Sequence, residues 1–313
     1  MPLNPETFSP AFFRRLETFI AVAETLSFRR AAEMIGRSQP AVTSQINQLE
    51  DALGVKLLVR STRQVRLTTA GAELLERGRR LLAESERLVR DIHAQAGLLT
   101  GQVVVSFSPT IAMSLAPKVL ATFESEHPGI RVLLREELAP QMLEAILNGS
   151  VDVGIGPYQP TTDKLAFNPI FDQEFSLVIR EDHPLAIRGH ARIRDLANIN
   201  LLCSSVGTTA REVLENAAKA EGITIMPKYE ALQYPTLFAL AAAGFGGTVM
   251  PAVNTNILSA MGLCAVPFRG KCLVRPIGII TRRDEALAPG PQAFVRLLLL
   301  TAEQESQHLA GQG

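Results

Sequence analysis

The feature that most constrains the fold is a well-marked helix start at Ser38 that leads into a helix with two unlike faces. Ser38 is a good N-cap, and Pro40 lies in the first turn, where its missing N–H is tolerated. One side of the predicted helix is an apolar stripe, formed by Val42, Ile46, Leu49 and Leu53. The other side carries short polar residues without charge, namely Gln39, Pro40, Thr43, Ser44 and Asn47.

The uncharged outer side indicates a binding surface. Side chains of this kind make hydrogen bonds and methyl contacts to base edges in a DNA major groove, whereas a helix meant only for solvent usually carries more Lys and Glu. A plain solvated helix face is the alternative on this evidence.

The neighbouring residues predict a small domain around this helix. Apolar residues at helical spacing, from Phe13 to Ala23, predict a helix near 12–25, and Ser27 can cap a second helix over 28–35 that ends at Gly36. Beyond Gly54, residues 57–60 and 65–67 are expected to form two short strands around a turn, which is a wing. Six arginines could meet phosphates, although each alone is equally a surface charge: Arg29, Arg30, Arg37, Arg60, Arg63 and Arg66.

Residues 12–72 resemble the DNA-binding domain of LysR-type transcriptional regulators. The resemblance rests on Ser27-Phe28 with Ala31-Ala32, on the phrase Ser38 to Ile46, on Leu49-Glu50 and Leu53-Gly54, and on Arg63 through Leu67 to Gly71. It implies that Gln39, Pro40, Thr43 and Ser44 face bases, and that Ser38, Gln45, Arg60 and Arg63 mostly hold the DNA backbone. Two residues depart from the family pattern: Leu58 replaces a common Phe, and Ser44 replaces a longer, often basic residue, which leaves the base preference open.

Residues 69–99 are predicted to form one long helix. Leu74, Leu81 and Leu88 recur every seven residues, with Leu75, Leu82 and Val89 beside them. Heptad spacing favours pairing with a second helix, and packing on the helix's own domain is the alternative. The resemblance implies a homodimer or homotetramer that places two recognition helices on double-stranded operator DNA, with RNA polymerase as a further partner.

The pattern changes at Gly101 to short apolar runs that alternate with helical patterns, which is typical of an α/β domain. The predicted elements are residues 103–107, 109–126, 130–135, 141–147, 151–155, 175–179, 201–203, 209–220, 223–229, 236–243, 248–250, 274–281 and 292–301. They resemble the two-lobed fold of periplasmic solute-binding proteins and of the LysR-type effector domain. The expected domains are therefore 12–68, a linker helix over 69–99, and an effector domain over 101–305. Its first lobe takes in 101–160 and 270–305, its second 164–267, and the crossovers near 157–164 and 268–275 form the hinge.

Small-molecule ligands of α/β sheets settle at the carboxyl ends of strands, beside helix N-termini. This rule indicates two segments as effector contacts, one that begins at Ser108 and one that begins at Cys203. For Ser108, capping of the helix that follows is the alternative role. The candidate residues are Ser108, Pro109, Thr110, Cys203, Ser204 and Ser205, followed by Tyr158, Gln233 and Phe245. Because neither segment contains a basic residue, an effector that is a small organic anion is expected to rely on helix dipoles and hydroxyls rather than on an arginine.

The remaining composition narrows the function classes. Three cysteines at irregular spacing do not indicate a disulfide framework or a zinc site, and together with the lack of a signal peptide they favour the cytoplasm. The apolar stretch 236–253 is broken by glycines and a proline, which disfavours a membrane span. No phosphate loop, cofactor motif, metal cluster or catalytic triad is found, which disfavours an enzyme. A redox-sensing regulator that uses Cys203 remains an alternative, as does a buried Cys203 that serves only as an apolar residue.

Overall fold

The structure is a computed structural model, which describes residues 10–60, 64–95, 101–157, 162–251, 255–270, 273–283 and 285–310. By its contacts the chain divides into two compact units, one built mainly from residues up to Ile92 and one mainly from the residues after it. No helix in these ranges combines the length and the apolar character that a bilayer crossing requires.

The first unit consists of helices and a short hairpin. Its elements are α1 (Pro10–Thr25), α2 (Phe28–Met34), α3 (Gln39–Leu53), β1 (Leu58–Arg60), β2 (Val65–Leu67) and α4 (Thr69–Gln95). The predicted caps are confirmed, because Ser27 accepts a hydrogen bond from the Arg30 N–H and Ser38 accepts one from the Ala41 N–H. Gly54 ends α3 with φ of 70°, a conformation that favours glycine. The stripe of α3 is buried against α1 and α2, so the apolar pattern that predicts this helix also forms its core.

The second unit is an α/β domain around one continuous sheet. Its helices are α5 (Pro109–Glu126), α6 (Ala139–Leu147), α7 (Pro184–Arg188), α8 (Thr209–Ala220), α9 (Tyr234–Ala242), α10 (Thr255–Ser259) and α11 (Pro289–Ala310), with a 3-10 helix at Ile193–Asn198. Its strands are β3 (Gly101–Phe107), β4 (Ile130–Glu136), β5 (Val153–Pro157), β6 (Leu165–Arg180), β7 (Leu201–Ser204), β8 (Pro227–Ala231), β9 (Gly247–Pro251), β10 (Leu263–Pro267) and β11 (Val274–Arg282). The strand order is β4-β3-β5-β11-β6-β9-β7-β8, and β10 also pairs with β6.

The sheet has two halves, which confirms the predicted two-lobed fold. In lobe I, β3 runs parallel to β4 and β5, and in lobe II, β7 runs parallel to β8 and β9. Each lobe has an apolar core on both faces of its sheet, with Phe107, Phe123 and Phe294 in lobe I and Leu177, Leu214 and Phe238 in lobe II.

The first crossover lies later in the chain than the stretch 157–164 indicated by the sequence. The first ten residues of β6, Leu165 to Glu174, pair with β11 in lobe I, and only residues from Phe175 onward pair with β9 and β10 in lobe II. The sequence did not predict the first part of β6, because its polar residues Asn168, Asp172 and Gln173 interrupt the alternation that marks a strand. The chain returns at Leu273, whose carbonyl accepts the Phe175 N–H, and this second crossover falls inside the predicted stretch 268–275.

Candidate functional site

The outer side of α3 is a shallow concave surface of the first unit. It is lined by Gln39, Pro40, Thr43, Ser44, Asn47 and Gln48. The Thr43 hydroxyl donates to the Gln39 carbonyl at 3.0 Å, and the Gln48 amide donates to the Ser44 hydroxyl at 3.3 Å. No charged residue occurs between Gln39 and Gln48, so this surface offers only neutral hydrogen-bonding groups and methyl groups.

The residues expected to hold the DNA backbone differ in their exposure and in the contacts that they make within the domain. Arg29 is exposed and pairs with Glu33 at 3.1 Å, while Gln45 is half-buried and accepts a hydrogen bond from the Thr18 hydroxyl at 2.5 Å. The Arg60 guanidinium lies over the Phe28 ring, 4.9 Å from its centroid. Arg63 lies outside the described residues. Gln45 and Arg60 are thus engaged with their own domain, a role that their residue types alone did not indicate.

Glu50 ties the wing to the end of α3. Its side chain is almost fully buried, and it accepts the backbone N–H groups of Leu57 at 2.9 Å and Leu58 at 3.2 Å, together with the Lys56 ammonium at 2.9 Å. Arg60 lies 3.5 Å away. Burial by itself raises the pKa of the Glu50 carboxyl, but the hydrogen bonds from Lys56 and the two N–H groups outweigh it, so the pKa is lowered. Glu50 is therefore a charged anchor for β1.

A cavity of about 40 Å³ lies in the second unit, where lobe I and lobe II meet. Lobe I contributes the start of α5, the start of α6 and the end of β5. Lobe II contributes the end of β7, the start of α8 and the start of α9. The described lining residues are Ser108, Pro109, Thr110, Leu138, Ala139, Pro157, Ser204, Gly207, Thr208, Thr209, Ala210, Leu232, Tyr234 and Arg275. The cavity therefore occupies the carboxyl ends of strands in both lobes, where α/β proteins bind small molecules.

Arg275 is the one basic residue among these lining residues, and the sequence analysis missed it. It is the second residue of β11, opposite its strand partner Gln173, and both are 6% exposed. Its guanidinium donates to the Thr209 hydroxyl of lobe II at 2.6 Å and to the Thr110 hydroxyl of lobe I at 3.0 Å. It also donates twice to the Gln173 side-chain oxygen, at 2.8 and 3.0 Å. The expectation that an anionic effector relies on hydroxyls and helix dipoles rather than on an arginine took in only the Ser108 and Cys203 segments. Strand pairing brings Arg275 to the cavity from a distant part of the sequence.

The structure brings four of the predicted effector residues to the cavity. Ser108, Pro109, Thr110 and Ser204 line it. Ser108 caps α5 by position, but its side chain makes no capping bond, and its buried hydroxyl has no hydrogen-bond partner among the described residues. Thr208, by contrast, caps α8 by accepting the Arg211 N–H at 3.3 Å.

Other predicted effector residues lie elsewhere. Cys203 points to the opposite face of β7 from Ser204 and belongs to the core of lobe II. Ser205, Gln233 and Phe245 do not line this cavity, and Phe245 packs edge-on against Tyr229 on the surface instead. Tyr158 lies outside the described residues.

Cys203 is in a poor position to react. Burial raises the pKa of its thiol to about 11, so almost none of it is thiolate at neutral pH. Cys264 is half-buried and Cys272 lies outside the described residues. Within the described part of the chain, no group of three or more His, Cys, Asp or Glu is arranged to hold a metal ion.

The two units together define a class of protein. A winged helix-turn-helix with an uncharged polar face on α3, and a two-lobed α/β domain with a cavity at its strand ends, fit a DNA-binding transcription regulator that has an effector-binding domain.

Comparison with known proteins specifies the family. Residues 13–72 match the family described as "Bacterial regulatory helix-turn-helix protein, lysR family", and residues 96–302 match the "LysR substrate binding domain". The chain belongs to the LysR family of transcriptional regulators, as its sequence motifs predict.

Individual relatives cover most of the chain. It is 33% identical over 281 residues to the uncharacterized regulator YfeR of Shigella flexneri, covering 90% of this chain and 91% of YfeR. It is 32% identical over 240 residues to the dual regulator OxyR of Escherichia coli strain K12, covering 77% of this chain and 79% of OxyR. Among solved structures, full-length CbnR in complex with its target DNA superposes with a TM-score of 0.69 at 26% identity, covering 92% of this chain and 99% of CbnR.

Proposed function

We propose that α3 enters the major groove of operator DNA and that Gln39, Pro40, Thr43 and Ser44 contact base edges. The observation that carries this proposal is the concave, charge-free face of α3 on a helix fixed by its buried stripe. Neutral hydrogen-bonding groups and methyl groups can read base edges, and the charge that the phosphates require can come from cations elsewhere in the domain. Arg29 and Arg66 are exposed on α2 and β2 and serve the phosphates. Ser38, Gln45, Arg60 and Arg63 are proposed to hold the DNA backbone around this face. Gln45 and Arg60 also make contacts within their own domain, and Arg63 lies outside the described residues.

The regulator acts as a homodimer or a homotetramer on a twofold-related operator, in the cytoplasm that holds the DNA, and contacts RNA polymerase there. An exposed apolar stripe on α4 supports pairing: Leu81, Leu88, Val89 and Ile92 are 44%, 58%, 52% and 55% exposed. Exposing such an apolar stripe to water costs free energy, and packing against a second helix would remove that cost.

The effector binds in the cavity of the second unit, with Ser108, Pro109, Thr110 and Ser204 among its contacts. The support for this proposal is the meeting of two lobes at that point, since a ligand that touches both lobes favours one arrangement of them over another. Such a shift in population would change the spacing of the two DNA-binding ends.

Base reading is tested with Gln39→Ala and with a DNA duplex that the wild-type protein selects from a random pool. We expect the variant to lose about 1–3 kcal/mol of binding free energy on the selected duplex, because a bidentate side-chain contact to a base is lost. Binding to a scrambled duplex should change far less. Glu73→Gln, on α4, is the control and should bind both duplexes like wild type. Equal losses of Gln39→Ala on both duplexes would show that Gln39 does not read bases.

A peroxide-sensing regulator is the second candidate, and it has one specific observation in its favour. Several relatives carry the name "hydrogen peroxide-inducible genes activator", including one from Pectobacterium carotovorum that is 32% identical over 275 residues. The buried Cys203 thiol argues against this candidate, because its raised pKa suppresses the thiolate that reacts with peroxide.

A further inference from the structure

The Arg275 guanidinium at the floor of the cavity is a buried cation that lacks a counter-ion. A guanidinium has five N–H groups, and the four hydrogen bonds of Arg275 all go to neutral oxygens of Gln173, Thr209 and Thr110. Within the described part of the chain no carboxylate lies within salt-bridge distance of it. By comparison, the buried Arg211 in lobe II pairs with Glu215 at 2.5 Å and with Glu230 at 3.2 Å.

The charge of Arg275 persists at neutral pH. Burial lowers the pKa of this guanidinium to about 10, which still leaves it protonated near pH 7. The Phe175 ring lies under the guanidinium, 5.4 Å from its centroid, but a buried charge without a counter-ion still costs free energy, and an anion that enters the cavity offsets that cost. The second N–H of Nη1 makes no hydrogen bond within the described part of the chain.

Two further features of the cavity favour an anion. The Ser108 hydroxyl is buried and lines the cavity, and no residue that the structure describes hydrogen-bonds to it, so it can donate to a ligand. The first turns of α5 and α8, of 18 and 12 residues, also face the cavity, and helix N-termini carry partial positive charge. Arginine, hydroxyl and helix ends together form an anion-binding set.

The walls and size of the cavity limit the rest of the ligand. Pro109, Leu138, Pro157 and Leu232 contribute apolar surface, and the volume is about 40 Å³. A carboxylate with a short apolar portion matches this combination better than a large or highly charged molecule.

We propose that the cavity binds the carboxylate group of a small monoanionic acid, with Arg275 and Ser108 as the groups that hold it. The proposal rests on the function proposed above, because it names the chemical class of that effector.

The test is isothermal titration calorimetry and thermal unfolding of the full chain with acetate, propionate and benzoate. Each acid is compared at constant ionic strength with its neutral amide, and sulfate serves as a dianion. We expect at least one carboxylate to bind and raise the Tm, and its amide to bind at least about tenfold more weakly, since charge-assisted hydrogen bonds are the stronger ones.

Single-residue variants test which side chains hold the carboxylate. Arg275→Gln should weaken carboxylate binding more than about tenfold, and Arg275→Lys should retain part of it as a point charge. Ser108→Ala should weaken it about fivefold through the loss of one hydrogen bond. Arg194→Gln is the control: it removes one exposed positive charge, paired with Glu221, from lobe II outside the cavity, and should bind like wild type.

Several outcomes would overturn the proposal. These are carboxylate binding that survives in Arg275→Gln, amides that bind as well as their acids, tighter binding of sulfate, and no carboxylate binding to wild type at millimolar concentration. If circular dichroism shows that Arg275→Gln does not fold, Ser108→Ala decides, because its hydroxyl has no native partner to lose. Because the titrations contain no DNA, their failure leaves base reading by α3 standing, and failure of the Gln39→Ala test leaves the anion site standing.

Discussion

At the residue scale, Glu50 shows how one buried carboxylate can organise a DNA-binding domain. It accepts the Leu57 and Leu58 N–H groups that begin the wing, and it holds Lys56 and Arg60 on the side where the wing emerges. Its role depends on charge, because a neutral acid would be a weaker acceptor for all four donors. The family phrase Leu49-Glu50 marks the position, but only the fold shows which groups the carboxylate serves.

Glu50→Gln should lower the free energy of unfolding by about 1–3 kcal/mol, because an amide cannot satisfy all of these donors. The lowered pKa also fixes the pH dependence. The stability from the ionised carboxylate is fully present above its unfolded value, near 4.5, and is lost as the pH falls through the folded pKa. Urea denaturation between neutral and acid pH should show the gap between wild type and variant closing at low pH. A gap that stays constant would mean that the Glu50 charge does not contribute.

Cys203 provides a second test at the residue scale. In native protein near pH 8 we expect iodoacetamide to leave Cys203 unmodified, because its thiol is buried and has a pKa of about 11. Peptide mass spectrometry after denaturation, where all three cysteines should react, is the internal control. If Cys203 reacted in the native protein as fast as in the unfolded chain, the peroxide-sensing candidate would regain its support.

At the scale of elements, the start of α4 is fitted tightly beneath the wing. Thr68 donates its hydroxyl to the Lys56 carbonyl at 2.8 Å and accepts the Gly71 N–H at 2.9 Å. A Cβ on Gly71 would lie 2.0 Å from the Leu57 carbonyl oxygen, a backbone atom that side-chain rotation cannot move. Gly71 therefore sets how closely α4 approaches Leu57, the residue directly before β1.

Gly71→Ala should lower the free energy of unfolding by about 1–3 kcal/mol or more, because either α4 or the wing must shift. It should also weaken operator binding, since the displaced wing belongs to the DNA-binding unit. Gly101→Ala is the control, because a Cβ there has open space and should change stability by less than about 0.5 kcal/mol. Chemical denaturation followed by circular dichroism measures both variants, and similar small losses would contradict the tight fit.

Sequence periodicity predicted most helices and strands but not how the strands pair or which distant segments they bring together. The helices α5 and α8 match their predicted bounds, since caps and apolar spacing are local signals. The first part of β6 and all of β10 were missed, because their stability comes from pairing with β11 and with the rest of β6. Arg275 was missed for the same reason: a charge in the otherwise apolar run of β11 was the available signal, but only sheet topology brings it to Thr110 and Thr209.

At the scale of the whole molecule, the exposed stripe on α4 predicts the oligomeric state. Leu88→Asp should shift the protein toward monomer in analytical ultracentrifugation and weaken binding to a twofold-symmetric operator, because it would bury a charge in an apolar helix pair. Glu76→Lys, a charge reversal elsewhere on α4, should leave the oligomer intact. If Leu88→Asp kept the wild-type sedimentation, subunit pairing would have to lie outside α4.

The lack of charge from Gln39 to Gln48 separates two properties that often change together in DNA-binding proteins. Each phosphate neutralised by a cation releases bound counterions and makes binding more sensitive to ionic strength, whereas a neutral contact to a base adds nothing to that sensitivity. In the proposed function, operator preference rests on the neutral residues of α3, and sensitivity to salt rests on the surrounding arginines. Substitutions confined to these α3 residues should therefore change which sequence is preferred while leaving the salt dependence of binding as it is in the wild type.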